Sequence, residues 1–265
     1  MTNSIEPITC CDQWVQHSQG RIFTRRWALA ESRPEANPIV LLHDSLGCVE
    51  LWRDLPGALS QATGREVIAY DRLGFGRSDA RDGLPALGFI ADEAREILPL
   101  VCEQLGVDGF VVFGHSVGGG MAIHCAAEMP DRCEALVTLS AQTFLEKQTL
   151  DGVRAARDYF RAPEQIQRLA KYHGEKARWV LDAWTESWLH PDFEDWSLVD
   201  VLSRVRCPIL AIHGENDEYG STRHAELIAQ HGGGPVRIEI LSGVGHMPQR
   251  EDPPAVLKMV AELLQ

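Results

Sequence analysis

The 265-residue sequence is short of basic side chains and has no apolar run approaching the length of a membrane span. Lys and Arg together number 25 against 38 Asp and Glu, a formal charge of −13. Such an acidic surface argues against a nucleic-acid partner, because binding phosphates needs a basic patch. It also disfavours docking on anionic membranes. Met1 to Gln19 is polar, without a basic-then-apolar leader. Cys-x-x-Cys spacing is missing as well. The seven cysteines (Cys10, Cys11, Cys48, Cys102, Cys125, Cys133, Cys207) are scattered and odd in number, which reads as inert or buried thiols rather than a disulfide framework or zinc site. The expectation is a reduced, cytoplasmic setting, with no metal and no cofactor. Internal repeats, low-complexity tracts and Ser/Gly linkers are also lacking. With 45% apolar and 24% charged residues, the chain reads as globular and long enough for one large α/β domain.

What is present is an alternation of two periodicities. Arg21 to Ala28 reads as an early antiparallel strand. Pro38 to Leu42, Glu66 to Tyr70, Phe110 to Phe113 and Ala135 to Leu139 are short continuous apolar runs, the pattern of strands buried on both faces. Helical spacing separates them at Leu51 to Ala62 (with a break near Pro56), Ala91 to Leu105 (with an irregularity at Pro99) and Val117 to Glu128. The alternation resumes with Pro208 to Ile212, His224 to Gln230, Val236 to Leu241 and Pro254 to Leu264. This predicts an α/β fold, a mostly parallel twisted central sheet flanked by helices. Between the two blocks the chain favours helix: Asp151 to Phe160, Pro163 to Tyr172 and Glu175 to Leu189. The expected division is a core of residues 1–141 and 206–265 and a helical lid insertion at 142–205.

Gly114-His115-Ser116-Val117-Gly118 lies at one of the strand-to-helix junctions. The five-residue pattern is weak alone, but this context suits a strained serine presented at a helix N-terminus, where a developing oxyanion is stabilised. A serine hydroxyl is a poor nucleophile without a histidine base, and the imidazole needs a carboxylate to fix its tautomer. His246 follows the last expected strand in the loop Ser242-Gly243-Val244-Gly245-His246, at the carboxyl end of a parallel strand. Asp217 sits at the exit of the strand before it, with Glu215 and Glu218 as rivals on charge alone. After the strand ending near Leu139 only Ser140, Ala141 and Gln142 are available, none a carboxylate. Asp71 to Ser78 is glycine-rich but lacks the lysine of a phosphate loop and reads as turn geometry.

Leu42 to Gly47, Asp71 to Ser78, Gly114 to Gly119, His213 to Asp217 and Gly245-His246 together resemble the α/β-hydrolase fold family, in its small lidded group of esterases, lactonases, carbon–carbon bond hydrolases and cofactor-free haloperoxidases. The resemblance runs from Arg21 to the terminal helix. It implies that Ser116 attacks, His246 is the base, Asp217 orients it, and the N–H groups of Val117 and Ser45 form an oxyanion hole. Where the family usually carries glycine after the histidine of the first block, this chain has Asp44. That residue either is structural or holds a water or substrate hydroxyl. Leu181, Trp184 and Trp188 share one face of the third lid helix. The two tryptophans either line an apolar substrate pocket or pack the lid. The implied activity is a metal-free serine hydrolase cleaving a carboxylic ester, thioester or lactone of a small, largely apolar molecule through an acyl-enzyme. Perhydrolase, haloperoxidase or carbon–carbon hydrolase activity and a receptor-like role with little turnover stay open, as does assembly into a homo-oligomer.

Overall fold

The computed structural model describes residues 7–30 and 36–265. In chain order its elements are β1 (Ile8–His17), β2 (Gly20–Leu29), β3 (Ile39–Leu42), α1 (Leu55–Thr63), β4 (Val67–Tyr70), α2 (Phe89–Asp92), α3 (Leu98–Leu105), β5 (Phe110–His115), α4 (Val117–Glu128) and β6 (Cys133–Leu139). There follow α5 (Lys147–Tyr159), α6 (Pro163–His173), α7 (Ala177–Trp188), α8 (Val199–Leu202), β7 (Ile209–Gly214), α9 (Arg223–His231), β8 (Val236–Leu241), α10 (Pro248–Glu251) and α11 (Pro253–Leu263). The strands form one sheet in the order β1-β2-β4-β3-β5-β6-β7-β8. β2 pairs antiparallel with β1 and β4, and every other pairing is parallel.

The continuous apolar runs are explained by burial on both sides. Val40, Leu42, Phe110 and Val112 point into a core shared with α3, α4 and α9. Their neighbours Ile39, Leu41, Val111 and Phe113 point into the opposite core, closed by α1 and α11. Successive side chains of a strand face opposite ways, so a strand covered on both faces needs apolar residues at every position.

Three departures from the sequence expectation have local causes. β1 carries no apolar stripe because it is an edge strand; Val15 is its one buried residue, and pairing with β2 through the Ser18-Gln19 turn holds it. The helix expected over Ala91 to Leu105 is interrupted by a wide π-turn at Glu93–Ile97. Pro99 there lacks an N–H and its ring crowds the carbonyl one turn back. The break near Pro56 is a 3₁₀ turn at Val49–Trp52, followed by α1 with proline in its first turn. Among the described residues no helix is long and apolar enough to cross a membrane.

α5 to α8 all lie between β6 and β7. His173 of α6 pins this segment to the sheet-end loops, accepting from Gly76 N–H at 2.9 Å and donating to Leu46 O at 3.0 Å. Lys176 adds bonds to the carbonyls of Gly76 and Ser78. The Asp71 to Ser78 loop is a turn, as expected: the Asp71 carboxylate accepts the amides of Val49 and Arg77.

Candidate active site

Because β3, β5, β6, β7 and β8 run parallel, the loops at their carboxyl ends meet on one edge of the sheet, where ligands bind in open α/β folds. Ser116 joins β5 to α4 with φ 56° and ψ −124°. A non-glycine residue in that region costs about 1–3 kcal/mol. Neighbouring bonds hold it there: Ser116 N–H donates to Leu139 O at 2.9 Å, and its carbonyl accepts Gly119 N–H at 2.8 Å. The flanking glycines matter for close approach rather than for a left-handed turn. A Cβ on Gly114 would stand 2.0 Å from Gly118 O, and one on Gly118 2.1 Å from Leu42 O.

His246 Nδ1 lies 2.8 and 2.9 Å from the two carboxylate oxygens of Asp217. Asp217 is buried and also accepts the amides of Tyr219 and Gly220, so the β7 exit loop wraps its own carboxylate. Burial alone would raise the Asp217 carboxyl, but His246 and these donors outweigh it and hold it below the usual range. Burial would depress the His246 imidazole, yet the Asp217 hydrogen bond and charge, with Asp44 and Glu218 nearby, leave it raised. The rival acids are engaged elsewhere. Glu215 binds Ser242 Oγ and Gly243 N–H, and Glu218 accepts only the backbone N–H of His246. Ser116 Oγ points to Gln142 Oε1 at 3.3 Å rather than to His246.

In the loop after β3 the amides of Leu46 and Gly47 are engaged, by Asp44 Oδ1 and Asp44 O respectively. The Ser45 and Val117 N–H groups have no hydrogen-bond partner among the described residues. Asp44 is tied down: Oδ1 takes the Leu46 amide and Oδ2 faces His115 Nδ1 at 3.3 Å. Burial would raise its carboxyl, but the His115 bond and adjacent imidazoles hold it well below the ordinary range. His115 Nε2 donates to His246 O at 2.8 Å, so one ring ties the first loop to the last. Arg72 braces the same loop from outside, its guanidinium donating to Asp44 O and its amide to His43 Nε2.

Asp44, Ser45, Ser116 and His246 line one cavity of about 230 Å³, walled by Leu46, Leu51, Val153, Met247, Trp184 and Trp188. Both tryptophans therefore face the cavity and also pack, Trp184 against Tyr219 and Trp188 against Phe193 and Trp196. Leu181, on the same helical face by spacing, belongs instead to a separate core with Phe75 and Leu169. Among the described residues no group of three or more His, Cys, Asp or Glu could hold a metal.

The sequence reading missed Gln142, His115, Tyr219 and Arg250. Gln142 was visible as the one polar amide just past β6. Tyr219, whose ring lies tilted with its centroid 4.9 Å from that of His246, and Arg250 carried no motif that could have revealed them.

A family model for the alpha/beta hydrolase fold matches residues 37–189. The chain is 33% identical over 150 residues to 1-acylglycerol-3-phosphate O-acyltransferase ABHD5 of Homo sapiens, covering 54% of this chain and 40% of that one. The match thus spans less than half the length of that relative. Two solved structures share the fold across nearly the whole of both chains. They are proline iminopeptidase of Mycobacterium smegmatis (TM-score 0.75, 24% identity, 96% and 97% covered) and 2-hydroxy-6-oxo-6-phenylhexa-2,4-dienoate hydrolase of Rhodococcus sp. strain RHA1 (TM-score 0.77, 17% identity, 97% and 99% covered). A family model matched over more than half its length, on a sheet of this order with a strained serine at the β5–α4 turn, makes this chain a member of the α/β-hydrolase fold family.

Proposed function

We propose that the chain is a serine hydrolase acting on a carboxylic ester, thioester or lactone, with Ser116 as nucleophile, His246 as general base and Asp217 as its orienting carboxylate. The observation that carries the reading is the buried Asp217–His246 pair opening on the same cavity as Ser116. The unpartnered amides of Ser45 and Val117 support an oxyanion hole on the loop after β3 and the N-terminus of α4. Attack requires the Ser116 hydroxyl to leave Gln142 and meet His246 Nε2. The nucleophile adds to the acyl carbon, His246 takes the hydroxyl proton and returns it to the leaving group, and water repeats the sequence on the acyl-enzyme. Asp44 keeps its carboxylate bound to Leu46 N–H and His115, which orders the loop without a direct chemical step. Helices α5 to α7 serve in this reading as a lid over the cavity.

Intact-mass spectrometry after treatment with a fluorophosphonate tests the proposal. A single adduct mapping to Ser116 and dependent on His246 is expected. Folded protein that takes no adduct, or takes it elsewhere, removes Ser116 from the role.

The acid limb of activity follows from His246. Its imidazole is raised above the ordinary 6.5, so the protonated form, unable to act as base, persists to higher pH. A plot of kcat/KM against pH is expected to rise through a midpoint above 6.5. A midpoint at or below that value contradicts the Asp217–His246 coupling.

A further inference from the structure

Arg250 stands out among the charged groups of the cavity by what it does not touch. It lies on α10, four residues past His246, and its half-buried side chain lines the same cavity as Ser116. One contact is made: Nη2 donates to Leu51 O at 2.9 Å. No carboxylate among the described residues lies within 4 Å of its guanidinium. Arg65 and Arg26 are paired with Glu134 and Glu66, whereas Arg72, Arg81 and Arg132 also lack a carboxylate within 4 Å among the described residues but do not line this cavity. Asp44, the nearest anionic wall of the cavity, has its two oxygens assigned to Leu46 and His115. Burial lowers the Arg250 guanidinium somewhat, but arginine stays charged in proteins.

A partly desolvated cation with no carboxylate in contact is costly, Asp44 acting on it only through space, and a guanidinium offers five donors in a planar fork suited to a carboxylate or phosphate. Around it the cavity is apolar, through Leu46, Leu51, Val153, Met247 and Trp184. We infer that Arg250 is the specificity residue of the cavity, docking an anionic group carried on an otherwise apolar acyl substrate. This rests on the hydrolase reading above and narrows its substrate class to amphipathic acyl compounds bearing a carboxylate or phosphate. The net negative charge of the molecule makes a local cation more necessary, since the surrounding field repels such a substrate.

The test compares p-nitrophenyl valerate with the mono-p-nitrophenyl ester of glutaric acid, which differ in a terminal methyl against a terminal carboxylate. The ratio of their kcat/KM values is independent of the fraction of active protein. Wild type is expected to favour the glutarate ester, and Arg250→Gln to lower the ratio by about 10- to 100-fold, the range of one lost charge-assisted pair. Arg250→Lys should recover part of it. A wild-type preference for valerate, or a ratio unmoved in Arg250→Gln, overturns the inference while leaving the hydrolase reading intact.

A second arm does not depend on turnover. Binding of monomethyl glutarate and methyl valerate to Ser116→Ala is followed by tryptophan fluorescence, with and without Arg250→Gln. Tighter binding of the anion, lost on Arg250→Gln, supports the inference even if no ester is cleaved; equal binding of both refutes it. Absence of Ser116-dependent cleavage of either ester sinks the hydrolase reading instead.

Discussion

Ser116→Ala is expected to lower kcat/KM for a small activated ester such as p-nitrophenyl butyrate by about four to six orders of magnitude. The size follows from the proposed covalent route. Without the hydroxyl no acyl-enzyme forms, and the remaining rate comes from the oxyanion amides and the cavity acting on water. The backbone strain at this position does not complicate the test, because alanine keeps the Cβ and the same φ of 56°. Only the bond to Gln142 is lost, about 1 kcal/mol, so the melting temperature should shift by a few degrees at most. Activity within tenfold of wild type in folded Ser116→Ala would show that the turnover measured does not pass through this serine.

Asp217→Asn is expected to cost about three to four orders of magnitude in kcat. Its carboxylate accepts three donors, His246 Nδ1 and the amides of Tyr219 and Gly220, while His213 Nε2 stands 3.3 Å away with its N–H given to Gly220 O. Every one of them faces an oxygen. An asparagine has one oxygen to offer, and the two backbone amides claim it because they cannot turn away. Its NH₂ then faces His246 and favours the tautomer with Nδ1 as acceptor and Nε2 protonated, which cannot take a proton from Ser116. The variant also loses the charge that raises the imidazole, so its residual acid limb should move toward lower pH. Full activity in Asp217→Asn would pass the orienting role to another group. Glu218, which already reaches the His246 amide, is the first to test by Glu218→Gln in that background.

Much of this site is legible in the sequence because the chemistry is local at each of its points. Ser116 stands between two glycines whose absence of Cβ is demanded by backbone only 2.0–2.1 Å from where those atoms would be. Such a packing requirement leaves a mark in the sequence. Asp217 follows a strand whose continuous apolar run announces burial on both faces, and His246 follows the alternating edge strand β8, so their places at the carboxyl ends could be read off. β1 was illegible for the complementary reason. An edge strand with exposed side chains is held by backbone hydrogen bonds, and these carry no residue code.

The sequence by itself determined the order of the strands from β2 onward and of the longer helices, the serine at its turn, and the histidine and acid in their loops, because periodicity and glycine placement follow from local burial and sterics. The resemblance already pointed to Asp217, but charge alone left Glu215 and Glu218 as rivals, and the tertiary structure supplies the contact of Asp217 with the imidazole. It alone turned the Ser116 hydroxyl toward Gln142, tied Asp44 to His115, and placed Arg250 beside apolar cavity walls with no carboxylate in contact among the described residues. Those facts join residues dozens to more than a hundred positions apart, and contacts between distant loops depend on how the whole sheet brings their ends together, which no local pattern encodes.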